Sequence, residues 1–539
     1  MLEISTKEIA QQSIATNDTS LGIELGSSRI KAVLIGCDHS PIATGSHDWE
    51  NQYYNGVWTY SLDAIWSGVQ ACYSRLKQDV SSRYGVELTS VGNIGISGMM
   101  HGYMVFDERG ELLVPFRTWR NTFTEKASVE LTPLLDFPIP HRWSIAHLYQ
   151  AIINNEEHID KIAYMTTIAG YVHWCLTGEK VVGVGDASGM FPIDLITGQF
   201  DKNKIRVFEN HIEGRRYSWR LEGILPKVLL AGEKAGALSD IGAELLDPTG
   251  TLMVGIPLCP PEGDAGTGMA ATNSVVPGTG NVSAGTSIFL MAVLNKSLSG
   301  IHSEIDLVTT PAGDPVAMVH ANNCVGDIDA WASVFTEVVE ALGFSVNKSK
   351  LYDMLYFKAL EADANSGGLL SYNYISGESI TGVNEGRPLF IRMPDSYFSL
   401  ANFMRAHLYS ALATLIIGND ILKNEEGIRL ERLYGHGGFF KTEGVGQRMM
   451  AAATETPVTV MSTAGEGGPW GIALLAAYAR NKNGCEKLNE YLESKVFNDA
   501  EFSTSMPHEC DIEGIREYMV RYKAGLELER IASKHLLRA

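Results

Sequence analysis

Basic residues are scarce in this chain: 43 lysines and arginines stand against 63 aspartates and glutamates, a formal net charge of −20. A nucleic acid or an anionic membrane needs a basic face, so neither is expected as a general partner. A small anionic ligand needs only a local electropositive loop and stays open. Paired cysteines are lacking too. The seven (Cys37, Cys72, Cys175, Cys259, Cys324, Cys485 and Cys510) are scattered, with no CxxC pair, which fits a reduced, cytoplasmic setting. No apolar run reaches the roughly 18 residues that span a bilayer; the longest, near Leu408 to Ile417, is interrupted by small and polar residues. Residues 1–18 carry Glu3, Lys7, Glu8 and Asp18 without an apolar stretch, and read as a short polar extension instead of a signal peptide. There is no GxxxxGK, which excludes a Walker-type phosphate loop, and no His, Cys and carboxylate cluster at metal-ligand spacing. The segment Gly266-Thr267-Gly268-Met269-Ala270-Ala271 imitates a dinucleotide fingerprint, which calls for an acidic residue about 20 positions on. Asn281 through Gly300 contains none, and that reading is rejected.

What the chain does have is a repeated plan. Gly22 to Leu34 reads strand, glycine with two hydroxyl residues (Gly26-Ser27-Ser28), strand; Gly285-Thr286-Ser287 repeats it ahead of the apolar run Ile288 to Val293. Glycine permits positive φ and close backbone approach, and the exposed N–H and hydroxyl groups can receive a phosphate. Either turn alone reads as an ordinary hairpin. Two with matched flanks suggest two similar domains holding a nucleotide's phosphates from both sides. Asp264 follows an expected strand, Leu252 to Leu258, and the Pro260-Pro261 break. As a carboxylate it could take the proton of an attacking alcohol; its local alternative is a cap on a helix beginning at Ala265.

At 539 residues, 54 of them glycine, the chain is too long for one core and fits two or three domains. Strands are expected at Leu21 to Leu25, at Ile30 to Ile35 and up to Trp49. A helix from Ser61 follows, with Leu62, Ile65, Trp66, Val69, Cys72, Tyr73, Leu76 and Val80 at spacings of three and four, then a buried strand from Asn93 to Ser97. This is an α/β unit on a mixed sheet, of the ribonuclease-H-like type shared by actin and hexokinase. A boundary is placed between Gly236 and Pro261, giving domains 19–258 and 259–539. Residues 343–400 lack clean periodicity and read as an insertion or closing lobe, and Ile515, Tyr518, Met519 and Tyr522 mark a terminal helix.

Ser97-Gly98-Met99-Met100-His101-Gly102, the segment Val105 to Leu112 and Trp119 resemble the FGGY carbohydrate kinases, and within them the xylulokinase pattern. Leu176-Thr177-Gly178-Glu179, Asp186-Ala187-Ser188-Gly189, Gly263-Asp264, Gly285-Thr286-Ser287, Gly377-Glu378, Gly437-Gly438 and Gly467 to Ala477 follow in the family's order, and Val325 to Trp331 is similar to L-ribulokinase. The resemblance implies two actin/hexokinase-type domains flanking a nucleotide cleft, with ATP and Mg²⁺ as cofactors. Asp264 would be the base. Met100, His101, Trp119 and Asn121 would line the sugar site. Gly26, Ser27, Ser28, Gly285, Thr286, Ser287, Gly437, Gly438 and Gly467 would hold ATP, with the metal carried on the nucleotide and Glu24 near it through water. A small sugar is the implied substrate, and a homodimer is compatible with the family.

Four positions depart from the patterns of these kinases. Glu24 stands where the family has Asp, and Asn121 and Phe123 replace the Asp and Arg of its WxDxR pattern; Val319 occupies a substrate-contacting Glu position of L-ribulokinase. A ketose, first among them a pentulose, is the leading acceptor, with L-ribulose, a hexulose or a polyol as alternatives. An ATP-binding sensor or ATPase of the same fold is the rival class.

Overall fold

The computed structural model describes residues 6–461 and 467–536. The chain divides into two compact units: Met1–Val276 with Leu307–Val316 and Glu466–Asp499, and Pro277–Asp306 with Ala317–Gly465 and Ala500–Ala539.

The first unit is built on β1 (Ser20–Leu25), β2 (Arg29–Ile35), β3 (Pro41–Asp48), β4 (Asn93–Gly98) and β5 (Glu262–Gly263), in sheet order β5-β4-β1-β2-β3. β1 pairs antiparallel with β2 and parallel with β4. Its Leu21, Ile23 and Leu25 are fully buried, because helices cover both faces of the sheet. One is Leu62–Tyr84. The Ser61 side chain accepts from the Ala64 N–H to start it, and Gly85 in the left-handed region stops it. On the other side Gly22 lets the helix Gly467–Asn481 come close: a Cβ there would stand 2.1 Å from the Pro469 carbonyl oxygen.

The expected strand at Leu252 to Leu258 does not form. Gly255 takes φ +81° and Pro257 has no N–H to give a ladder, so the segment makes single bridges at Pro257 and Leu258. The neighbour of β4 is instead β5, with Glu262 opposite Ser97 and Gly263 opposite Gly98.

The second unit repeats the arrangement. β6 (Thr279–Ala284) pairs antiparallel with β7 (Ile288–Val293) and parallel with β9 (Arg432–His436); β8 (Pro315–Ala321), β10 (Val458–Met461) and β11 (Phe502–Ser505) extend the order to β8-β7-β6-β9-β10-β11, and the strand Ile305–Thr309 lies at the edge beside β8. Two sheets carrying the same hairpin-plus-parallel-strand plan give the two-domain actin/hexokinase-like fold. Residues 343–400 are more ordered than their pattern suggests: a helix Lys348–Ala359 buries Leu351, Leu355 and Tyr356, and Leu370–Tyr372 pairs with Leu389–Ile391. The helix Leu400–Glu425 is long and apolar enough to cross a membrane, but 89% of its apolar window is buried within the fold. It is a core helix, and its Arg405 pairs at 3.1 Å with Asp511 of the terminal helix Glu509–His535. All seven cysteines are free.

Candidate active site

The parallel strands β1, β4 and β5 end in register, Leu25 beside Gly98 and Gly98 beside Gly263. Three motifs therefore leave one sheet edge together: Gly26-Ser27-Ser28, Met99-Met100-His101 and Asp264. The carboxyl ends of parallel strands are where open α/β sheets bind ligands. Asp264 is the first residue of the helix Asp264–Ala271, and the cap position belongs to Gly263. Its side chain does not close the helix as a cap would. Oδ1 accepts from the N–H groups of Met100 at 3.1 Å and Ala265 at 3.0 Å. Burial raises the carboxyl above its ordinary range, and those two bonds oppose the rise.

Glu24 on β1 lies near enough to feel that charge. Its carboxyl is pushed up to about 7, first by burial, then by Asp264, with Lys31, its cross-strand neighbour, working the other way. Glu24 Oε1 sits 1.9 Å from where a Cβ on Gly468 would stand. Gly467, at φ +69°, therefore opens its helix beside this carboxyl.

The first hairpin is held from beneath by aromatic side chains. Trp49 Nε1 donates to the Gly26 carbonyl at 2.7 Å, the Tyr60 hydroxyl to the Ser27 carbonyl, and Trp119 Nε1 to Ser27 Oγ at 3.2 Å. Trp49 and Tyr60 stack at 4.1 Å, and burial pushes the Tyr60 hydroxyl up to about 12. Ser27 and Ser28 are left exposed at the tip. Trp49 and Tyr60 carried no motif, and only their position beside a strand end and a helix cap could have drawn attention to them.

Asn121 is buried, and its amide is spent on the backbone. Oδ1 accepts from Trp58 N–H at 2.8 Å, while Nδ2 donates to the carbonyls of Trp58 at 2.8 Å and Thr118 at 3.0 Å. It brackets the loop that carries Trp119. Phe123 lies beneath the Arg117 guanidinium, 5.5 Å away, which also pairs with Glu156. Met100 and His101 are both nearly buried; His101 takes φ +68°, stacks on Trp143 at 6.3 Å and faces the Gly189 carbonyl at 3.3 Å.

Behind Asp264 stands a pair of carboxyls: Glu262, which lies outside every motif, and Asp186, which opens the Asp186-Ala187-Ser188-Gly189 segment but has no expected role there. Glu262 accepts from the N–H groups of Gly263 at 2.9 Å, Gly185 at 3.3 Å and Asp186. Asp186 is fully buried; Oδ2 accepts from Thr167 at 2.6 Å, and Oδ1 has no hydrogen-bond partner. Burial drives Glu262 to about 7 and Asp186 well above its ordinary range, with the nearby Glu262 and Asp264 adding to the latter.

In the second unit the turn Gly285-Thr286-Ser287 closes on a Gly285 N–H to Ser287 carbonyl bond of 2.9 Å and leaves Thr286 exposed. Gly437, at φ +101°, rests on the end of β6, where a Cβ would meet the Ala284 carbonyl oxygen at 2.4 Å. Gly437-Gly438 and the second turn thus adjoin, whereas Gly467 belongs to the first unit. Among the described residues no His, Cys, Asp and Glu group forms a metal cage.

The family model for the N-terminal domain of the FGGY family of carbohydrate kinases matches residues 19–268, and that for its C-terminal domain residues 280–480. A xylulose kinase of Haemophilus influenzae is 22% identical over 522 residues, 93% of this chain and 98% of that one. A ligand-bound xylulose kinase structure from Lactobacillus acidophilus superimposes with a TM-score of 0.76 at 16% identity, covering 96% of this chain and 98% of that one. A gluconate kinase structure from the same organism gives 0.76 at 17% identity, with the same coverage.

Proposed function

The chain belongs to the FGGY family of carbohydrate kinases, and from this premise we propose that it transfers the γ-phosphoryl group of ATP to the terminal hydroxyl of a ketose, a pentulose first. It is a phosphotransferase with an alcohol group as acceptor. The observation that carries the residue assignment is the Met100 to Asp264 hydrogen bond, which ties the expected base to the expected sugar-binding motif at the sheet edge where the first phosphate turn emerges.

Each residue then has a task. Asp264 accepts the acceptor's proton as the alcohol attacks. Gly26-Ser27-Ser28, with both serines exposed, and Gly285-Thr286-Ser287, with Thr286 exposed, bind phosphate oxygens. Trp119 offers a flat apolar face for the C–H side of a sugar. Among the described residues no protein cage is formed, so magnesium would be held largely by phosphate and water, with Glu24 able to reach it through water. It would neutralise phosphate charge during transfer.

The pentulose reading leans on the xylulose kinase relative; the engagement of Asn121 in the backbone and the presence of Phe123 leave L-ribulose, a hexulose or a polyol as alternatives, because hydroxyl-reading groups set discrimination. The test is ADP release with ATP and Mg²⁺ across ketoses, polyols and sugar acids, with Asp264→Ala beside the wild type. A rate that one acceptor class stimulates and the variant loses supports the proposal. ATP hydrolysis indifferent to every acceptor would replace it with an ATPase or sensor role.

A further inference from the structure

The second phosphate turn is held by a neighbouring segment. The Gly285 carbonyl accepts from Val325 N–H at 3.1 Å and the Thr286 carbonyl from Cys324 N–H at 2.9 Å. These two donors lie between β8 and the helix Gly326–Ala341. Their segment is fixed from the far side by buried polar groups. Glu378, with no solvent exposure, accepts through Oε2 from Asn322 N–H at 2.9 Å and Asn323 Nδ2 at 3.2 Å. Asn323 Oδ1 accepts in turn from Ser376 N–H at 2.9 Å, and Asn373 Nδ2 donates to the Cys324 carbonyl at 3.0 Å. Gly377 lets the loop that carries Glu378 fold back on itself: a Cβ there would stand 2.2 Å from the Asn384 carbonyl oxygen, beside the Glu378 to Val383 bridge.

We propose that Glu378 is a positioning residue for the nucleotide, fixing Asn322 to Val325 so that this segment holds Gly285-Thr286-Ser287 in its phosphate-receiving shape. The inference rests on reading that turn as a phosphate site. A buried carboxyl that merely filled space would not need two donors from one strand end, and removing it leaves the Asn322 N–H and the Asn323 amide without their acceptor. Burial pushes Glu378 up to about 7, and its Oε1 has no partner, so glutamine can keep the acceptor while changing little else.

The test is calorimetric titration of the full chain with ADP and Mg²⁺, without acceptor. Glu378→Ala is expected to weaken ADP about tenfold or more, the scale of a lost buried hydrogen bond, and Glu378→Gln to stay within about threefold of wild type by retaining that bond. A purely structural role would lower the melting temperature and leave ADP affinity alone. The double variant Thr286→Ala, Ser287→Ala is run alongside. If it loses ADP while folded Glu378→Ala binds normally, the positioning role is overturned and the turn assignment stands; if the double variant binds normally, both fall. Should Glu378→Ala fail to fold, Glu378→Asp, which draws the carboxyl back by one methylene, must weaken ADP, and unchanged affinity overturns the inference.

Discussion

Asp264 Oδ1 lies 3.1 Å from the Met100 backbone nitrogen, so the candidate base is oriented by the residue that opens the candidate sugar pocket. Any shift of the Met100-His101 turn moves the carboxylate with it. Asp264→Asn keeps an acceptor for both N–H donors but removes the base. It should lower kcat by about 10² to 10⁴, the usual contribution of general-base catalysis, with ADP affinity unchanged by calorimetry.

As the proposed base, Asp264 must be ionised to take the acceptor's proton. Burial raises its pKa, so activity should be full on the alkaline side and fall as pH drops through a value above the ordinary carboxylate range. A kcat/KM profile over acidic to neutral pH checks this, and an acidic limb at the ordinary aspartate value would count against it.

Gly468 leaves no room for a side chain beside Glu24 Oε1. Gly468→Ala should push that carboxyl away from the sheet edge and cost at least about tenfold in kcat, since small misplacements of catalytic groups are expensive. Steady-state kinetics with ATP varied would show it, while a variant of wild-type rate would remove Glu24 from the site.

Asn121→Asp restores the residue type of the family pattern and should nevertheless destabilise. A carboxylate cannot donate to the Trp58 and Thr118 carbonyls that Nδ2 now serves, and two buried acceptors would lose their donor at about 1–3 kcal/mol. Thermal unfolding at neutral pH is the measurement.

Asp186 gives a stability signature. Its folded-state pKa is raised, so between the ordinary aspartate value and that raised value the folded chain holds a proton that the unfolded chain releases. Its contribution is complete below the ordinary value and is lost as pH climbs through the raised one. Asp186→Asn, a neutral mimic with an oxygen for Thr167, should flatten this decline in unfolding free energy and retain most activity; an unchanged slope would show that Asp186 is ionised when folded.

Local chemistry made much of the fold legible. The helix from Ser61 has its cap, its three-and-four spacing and its terminating glycine in one stretch, and both hairpins announce themselves through glycine and hydroxyl residues between apolar runs. Leu252 to Leu258 misled because apolar content suggested a strand, while Gly255 and Pro257 denied it a ladder. The roles of Asn121, Asp186, Glu262 and Glu378 were out of reach for another reason. Each is defined by hydrogen bonds to chain segments distant in sequence, and no local pattern records such partners.

The helix Gly467–Asn481 has a bearing on how the chain comes into being. It lies against β1, anchored where Trp470 Nε1 donates to the His39 carbonyl at 2.9 Å and Asn93 Nδ2 to the Ala476 carbonyl at 2.9 Å. β1 thus leaves the ribosome and waits, with Leu21 to Leu25 lacking cover on one side, until the helix Gly467–Asn481 has been translated. During that interval the nascent sheet exposes apolar surface to whatever binds unfinished chains, and a premature stop before Gly467 would leave the first unit incomplete.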